Sequence, residues 1–100
     1  MNENDRKKEL FVNAMSNLTK NKLGISLDLL NEIIDTDADD KLALLARGSV
    51  YLKMDNTIDA ISDFSRALQI DSNHPKTYHL RGLAWAGENH AFYRNVSFDN

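Results

Sequence analysis

Arg47-Gly48-Ser49-Val50-Tyr51 recurs as Arg81-Gly82-Leu83-Ala84-Trp85, 34 residues further along the chain. In both copies an arginine precedes the glycine and an aromatic residue follows it by three, a spacing that a helix brings onto one side. Self-similarity at such a period marks stacked units, each too small to bury its own apolar face. Outward from this pair, Leu27, Leu30, Ile33 and Ile34 are spaced as one helical stripe, as are Ile58, Ile61, Phe64, Ala67 and Leu68. A strand would scatter both sets over two faces. One proline and four glycines leave few breakers. The chain therefore reads as all-α, with helices expected at about 5–19, 23–35, 40–54, 57–70 and 75–87. Polar clusters at Thr19 to Lys22, Thr36 to Asp40, Asp55 to Thr57 and Asp71 to Pro75 separate them. Asn56, with Asp59 in the following first turn, is a good helix start, and Asn73 or His74 precedes Pro75 at another.

Residues 41–74 resemble one tetratricopeptide repeat. Leu44 stands at the family's tryptophan position, Gly48 and Tyr51 at its glycine and tyrosine, Ala60 and Phe64 at the next pair and Ala67 at the second alanine. Arg47 departs from the usual leucine, and Ser72 from the closing proline, which follows three residues later as Pro75. Residues 7–40 look like a divergent first repeat, with Ala14 for the glycine, Asn17 for the tyrosine, and Ser26 and Leu30 for Ala60 and Phe64. Residues 75–100 look like a partial third, carrying Tyr78, Gly82 and Trp85. The resemblance implies a single domain over 1–100, an antiparallel helix-hairpin stack of about 2.5 repeats. Gly48 and Gly82 are then expected in matching environments. Small residues at Gly48, Ala60 and Ala67 would admit neighbouring helices, with Tyr51, Phe64 and Trp85 filling the gaps.

The resemblance further implies a protein-protein interaction module in which the first helix of each hairpin lines a concave groove for a peptide or an amphipathic helix. By position the lining is Lys8, Phe11, Val12, Met15 and Leu18, then Leu42, Leu45, Ser49, Leu52 and Lys53, then Lys76, His79 and Leu83. Phe11, Met15, Leu45 and Leu52 fit equally well as core residues of a bundle. Where some members of the family grip a chaperone's terminal carboxylate, this chain has Phe11, Met15, Ala46 and Leu80, and only Lys76 matches. An apolar partner face fits better.

A second reading rests on Tyr78, Trp85, Phe92, Tyr93 and Phe98, which follow the last complete hairpin. Either residues 91–100 fold back over them as a cap, the expectation preferred here, or a second copy of the chain covers them in a homodimer.

Other function classes have less to stand on. Twelve Lys and Arg against fifteen Asp and Glu leave a net charge of -3, the wrong sign for neutralising phosphates, so no nucleic acid is expected. The composition, 42% apolar and 27% charged, is that of an ordinary soluble domain with no membrane association. The polar, acidic start Met1-Asn2-Glu3-Asn4-Asp5 is unlike a signal peptide, and the expected compartment is the cytoplasm. There is no cysteine, His74, His79 and His90 lack metal-site spacing, and no nucleophile motif or phosphate loop is present. Neither catalysis nor a cofactor or metal is expected. Asp35, Asp37, Asp39 and Asp40 lack the glycine and the closing glutamate of a calcium loop and read as capping carboxylates in a turn. Arg47 and Arg81, each on an otherwise apolar helix side, are expected to pack their stems and meet a carboxylate, Asp63 in the case of Arg47.

Overall fold

The computed structural model describes residues 2–95, and side chains through residue 87. The described chain is all-helical: α1 (Glu3–Thr19), α2 (Leu23–Thr36), α3 (Lys41–Lys53), α4 (Thr57–Ile70) and α5 (Pro75–Asn95). None of these helices is long and apolar enough to cross a membrane. Each helix packs mainly on the next in sequence, so the five form an elongated row, 61 × 30 × 20 Å. Two links show antiparallel pairing. Lys7 near the start of α1 meets Asp37 just past the end of α2, and Lys41 at the start of α3 meets Asp71 just past the end of α4.

The backbone repeats itself at the 34-residue interval. The α1–α2 turn places Asn21 at φ 60°, and the α3–α4 turn places Asp55 at φ 60°; they are the only two non-glycine residues with positive φ among those described. Both types tolerate this left-handed conformation better than most, because a short polar side chain can bond locally. In the first turn the Lys22 N–H donates to the Asn17 carbonyl at 2.8 Å, and in the second Asn56 donates to Tyr51 at 2.8 Å. Caps stop and start the helices between them. Asn2 accepts from the Asp5 N–H at 2.8 Å and Asp40 from Ala43 at 3.0 Å, while Asn56 accepts from Asp59 at 3.4 Å.

Two apolar clusters lie along the row. Ala14, Leu30, Ile33, Ala43, Ala46 and Val50 close the junction of α1, α2 and α3, and Ala60, Phe64 and Ala84 that of α3, α4 and α5. Small residues set the helix spacing. A methyl at Gly48 would lie 2.6 Å from Phe64 Cε1, so the ring occupies the space that a side chain would fill. At the matching place in the first pair, Ala14 faces α2, and the buried Ser26 hydroxyl donates to the Ala14 carbonyl at 2.9 Å. No buried side-chain nitrogen or oxygen among the described residues lacks a partner.

Two expectations change at α5. Helix α5 does not stop at 87 but continues to Asn95, because Gly87 lowers helix propensity by only about 1 kcal/mol and no proline follows. Residues 91–95 are thus part of α5 and not a separate cap; residues 96–100, and the side chains of Phe92 and Tyr93, lie outside what is described. Gly82 also differs from Gly48. A methyl there meets nothing within 4 Å, and Trp85 is 51% exposed instead of filling a gap. The reason is that α4 covers this side of α3, while no described helix does the same for α5.

Candidate functional site

The 3.6-residue repeat decides which side chains the odd-numbered helices share. On α1 the spacing Phe11, Met15, Leu18 forms one stripe, on α3 Leu42, Leu45, Ser49 forms another, and Lys76 and Leu80 extend the surface onto α5. Together with Ala46 and His74 they line an open depression of about 300 Å³. A second depression of about 310 Å³ adjoins it, sharing Phe11 and Leu42 and adding Lys7, Lys8, Val12, Ile33 and Asp40. Val12 is 65% and Leu42 58% exposed. Lone exposed apolar residues are ordinary, but two on adjacent helices beside a half-buried phenylalanine make a patch.

Of the residues expected to line a groove, Phe11, Met15, Leu18, Leu42, Leu45, Ser49 and Lys76 come together in the first depression, and Lys8 and Val12 in the second. Four do not. Leu52 packs against the Ala60, Phe64 and Ala84 cluster, and Lys53, His79 and Leu83 are exposed away from both depressions. The core reading is also partly met, since Phe11 and Met15 pack partly buried on the first cluster and Leu45 and Leu52 on the second. His74 was missed as lining, and Ala46 and Leu80 were named only at the family's carboxylate-gripping positions and not as lining. The signal lay in the period itself: Ala46 and Leu80 are the positions 34 and 68 residues after Val12.

Charge surrounds this apolar floor. The Lys7 ammonium lies 2.9 Å from Asp40 and 3.2 Å from Asp37, and those contacts, Asp40 first, hold its pKa above the usual lysine value. Burial pushes Asp40 upward, but the Ala43 N–H and Lys7 outweigh it and hold the carboxyl below the ordinary range. Asp71 is likewise lowered, by Lys41 and then by the Asn73 N–H. Asp39 pairs with Arg66. Three of the four clustered aspartates therefore serve caps and ion pairs, in keeping with the turn reading.

Behind the groove, Arg47 binds as expected. Its Nε and Nη2 each donate to Asp63 at 2.8 Å, and Nη1 donates to Asn31 Oδ1 at 2.9 Å, joining α2, α3 and α4. Asp63 is only 4% exposed, and the two-pronged contact raises the Arg47 pKa further. Arg81 departs from the parallel expectation among the described residues, where it meets no carboxylate. Its Nη1 meets the Ser65 hydroxyl at 3.4 Å and its guanidinium lies over the Tyr78 ring at 5.5 Å. Ser65 follows Asn31 by 34 positions, so the backward contact is kept, whereas the place of Asp63 falls at Ser97, outside the described residues.

No group of three or more His, Asp or Glu side chains among the described residues could hold a metal ion. Together the two depressions offer apolar area with Lys7, Lys8 and Lys76 among their lining residues. Compared with known proteins, the chain matches no family model and shows no significant similarity to any curated protein.

Proposed function

We propose that this chain is a tetratricopeptide-like module of about two and a half repeats. It acts as a non-catalytic adaptor that holds a partner peptide or amphipathic helix against α1, α3 and α5. The observation that carries the reading is the pair of adjoining depressions, sharing Phe11 and Leu42 and lined mainly by alternate helices of the row, with apolar residues on their floors. The recurrence of turn and ion-pair geometry at 34 residues supports the family resemblance. Lys8 and Lys76 at the edges favour a partner whose apolar stripe is flanked by Asp or Glu.

Because Leu45 and Leu52 rest on the second cluster, they are poor positions for separating binding from folding. Val12 and Leu42 are better, being exposed. The pair Val12→Glu and Leu42→Glu is expected to keep helical circular dichroism and to lose the proteins that the wild-type chain captures from a cytoplasmic extract. Ile25→Glu with Ile58→Glu, two exposed apolar positions outside the groove, is the control and is expected to keep them. An identical set of captured proteins with the Val12 and Leu42 pair would refute the groove as the site.

A further inference from the structure

Resting on the groove reading above, we propose that His74 is the residue by which the groove selects an acidic partner, its imidazolium and Lys76 together holding an Asp or Glu side chain at the α5 end of the first depression. His74 stands immediately before α5, and its carbonyl accepts from the Thr77 N–H at 3.0 Å. Its Nδ1 lies 2.6 Å from the hydroxyl of Thr77, a residue only 1% exposed. One edge of the ring is thereby fixed to the buried side of the helix start. The other nitrogen, Nε2, has no hydrogen-bond partner among the described residues. No buried side-chain nitrogen there lacks one, so Nε2 reaches solvent, and the ring that carries it lines the depression.

No carboxylate lines that depression. Helices α1 and α3 give it apolar side chains and Ser49, and α5 gives it Lys76 and Leu80. In the adjoining depression Lys7 is taken up by Asp40, which leaves Lys8. Neither Lys8 nor Lys76 forms an ion pair among the described residues. The acid nearest to His74 along the chain, Asp71, is engaged elsewhere: Oδ2 accepts from Lys41 at 2.8 Å and Oδ1 from the Asn73 N–H at 3.1 Å. His79, the other α5 histidine whose side chain is described, is exposed outside both depressions. The chain as a whole carries a net charge of -3, so an acidic partner is complementary to this opening and not to the molecule at large.

Thr77 lets the ring change charge in place. A hydroxyl both donates and accepts, so Thr77 donates to Nδ1 when that nitrogen is bare and accepts from it when it carries a proton. The contact survives in either state, and protonation strands no buried polar atom. What changes is the free edge, where the charged ring presents Nε2–H as a cationic donor on the groove wall. A carboxylate seated there is held more tightly as pH falls through the range in which imidazoles gain their proton, and the gain ends where carboxylates themselves protonate.

Random peptides displayed on phage, selected on the full chain at about pH 5.5 and cleared against the Val12→Glu and Leu42→Glu pair, supply groove-dependent probes. Histidine-free sequences among them are expected to set Asp or Glu beside an apolar stripe. Such a peptide, made with an amidated end so that side chains are its only carboxylates, should bind about 2–5 times more tightly at about pH 5.5 than at about pH 8. With its acidic residues replaced by Gln it should lose this ratio on the unaltered chain. His74→Asn sets an amide where the Nδ1 edge lies, so Thr77 keeps a partner while the titrating ring is gone, and the ratio is expected to fall to about 1. His79→Asn should keep the wild-type ratio, and Lys76→Gln should weaken binding at both pH values. Circular dichroism at each pH checks that the helices persist. Groove-dependent peptides without acidic residues, affinities indifferent to pH, or a ratio unchanged by His74→Asn would overturn this inference and leave the groove reading standing. A library that yields no groove-dependent peptide overturns both.

Discussion

Gly48 and Gly82 are the same residue type at equivalent places in the period, yet their surroundings give them opposite sensitivities. Alanine at 48 puts a methyl against the fully buried Phe64 ring, which has no free space to enter. Overpacking of this kind costs about 1–3 kcal/mol, against about 1 kcal/mol gained from helix propensity. Gly48→Ala is thus expected to lower stability by up to about 2 kcal/mol. Gly82→Ala gains the propensity without the clash and should raise stability by up to about 1 kcal/mol. For a domain of this size each kcal/mol moves the melting temperature by about 4–8 °C, so thermal unfolding of the two variants at a concentration where the chain is monomeric reads the signs directly. Melting shifts of the same sign would show that the two glycines share an environment after all. The pairing of Arg47 with Asp63 was also legible at this scale. An arginine on a buried stripe must find an acceptor for its guanidinium, and Asp63 lies on the facing side of the next helix.

At the level of elements, the helices were legible because breakers are few and the apolar spacing is periodic, and the turns because polar residues cluster between them. What escaped was the length of α5. A glycine near the end of a periodic stretch reads as a stop signal, but glycine ends a helix by adopting positive φ, and Gly87 does not. The links also carry the protein's pH dependence. Asp40 caps α3 and binds Lys7 of α1, and its folded pKa is depressed, so its contribution is present above the ordinary carboxylate range and lost as pH falls through the folded value. Lys7, raised by the same contacts, keeps its contribution below the usual lysine value and loses it as pH rises through its own folded value. These are two descriptions of one interaction. Partly exposed pairs of this kind contribute about 0.5–1 kcal/mol. Lys7→Met is therefore expected to melt a few degrees below wild type near neutral pH, with the gap closing below about pH 4. A gap that persists undiminished at pH 3 would show that Lys7 acts through packing and not through charge.

Across the whole molecule, stability follows position in the row. Helix α3 lies between α2 and α4, whereas α5 is covered by described helices mainly through α4. In an array whose units touch only neighbours, the end unit opens most easily. Hydrogen exchange is expected to be faster along α5 than along α3. Amides of α5 that are as protected as those of α3 in the monomer would contradict this.

The sequence by itself determined the helices, their caps and the interval at which they recur, because these depend on residues a few positions apart: apolar spacing, polar clusters, a glycine before an aromatic. It also carried most of the groove, since side chains on alternate helices follow the same period. Only the tertiary structure decided which stripes are covered. Leu52 sank into a cluster, Val12 and Leu42 stayed in solvent, and Tyr78 and Trp85 were left open beside a glycine identical in pattern to Gly48. The physical reason is that burial belongs to a pair of surfaces, and a stripe's residues define only one of them.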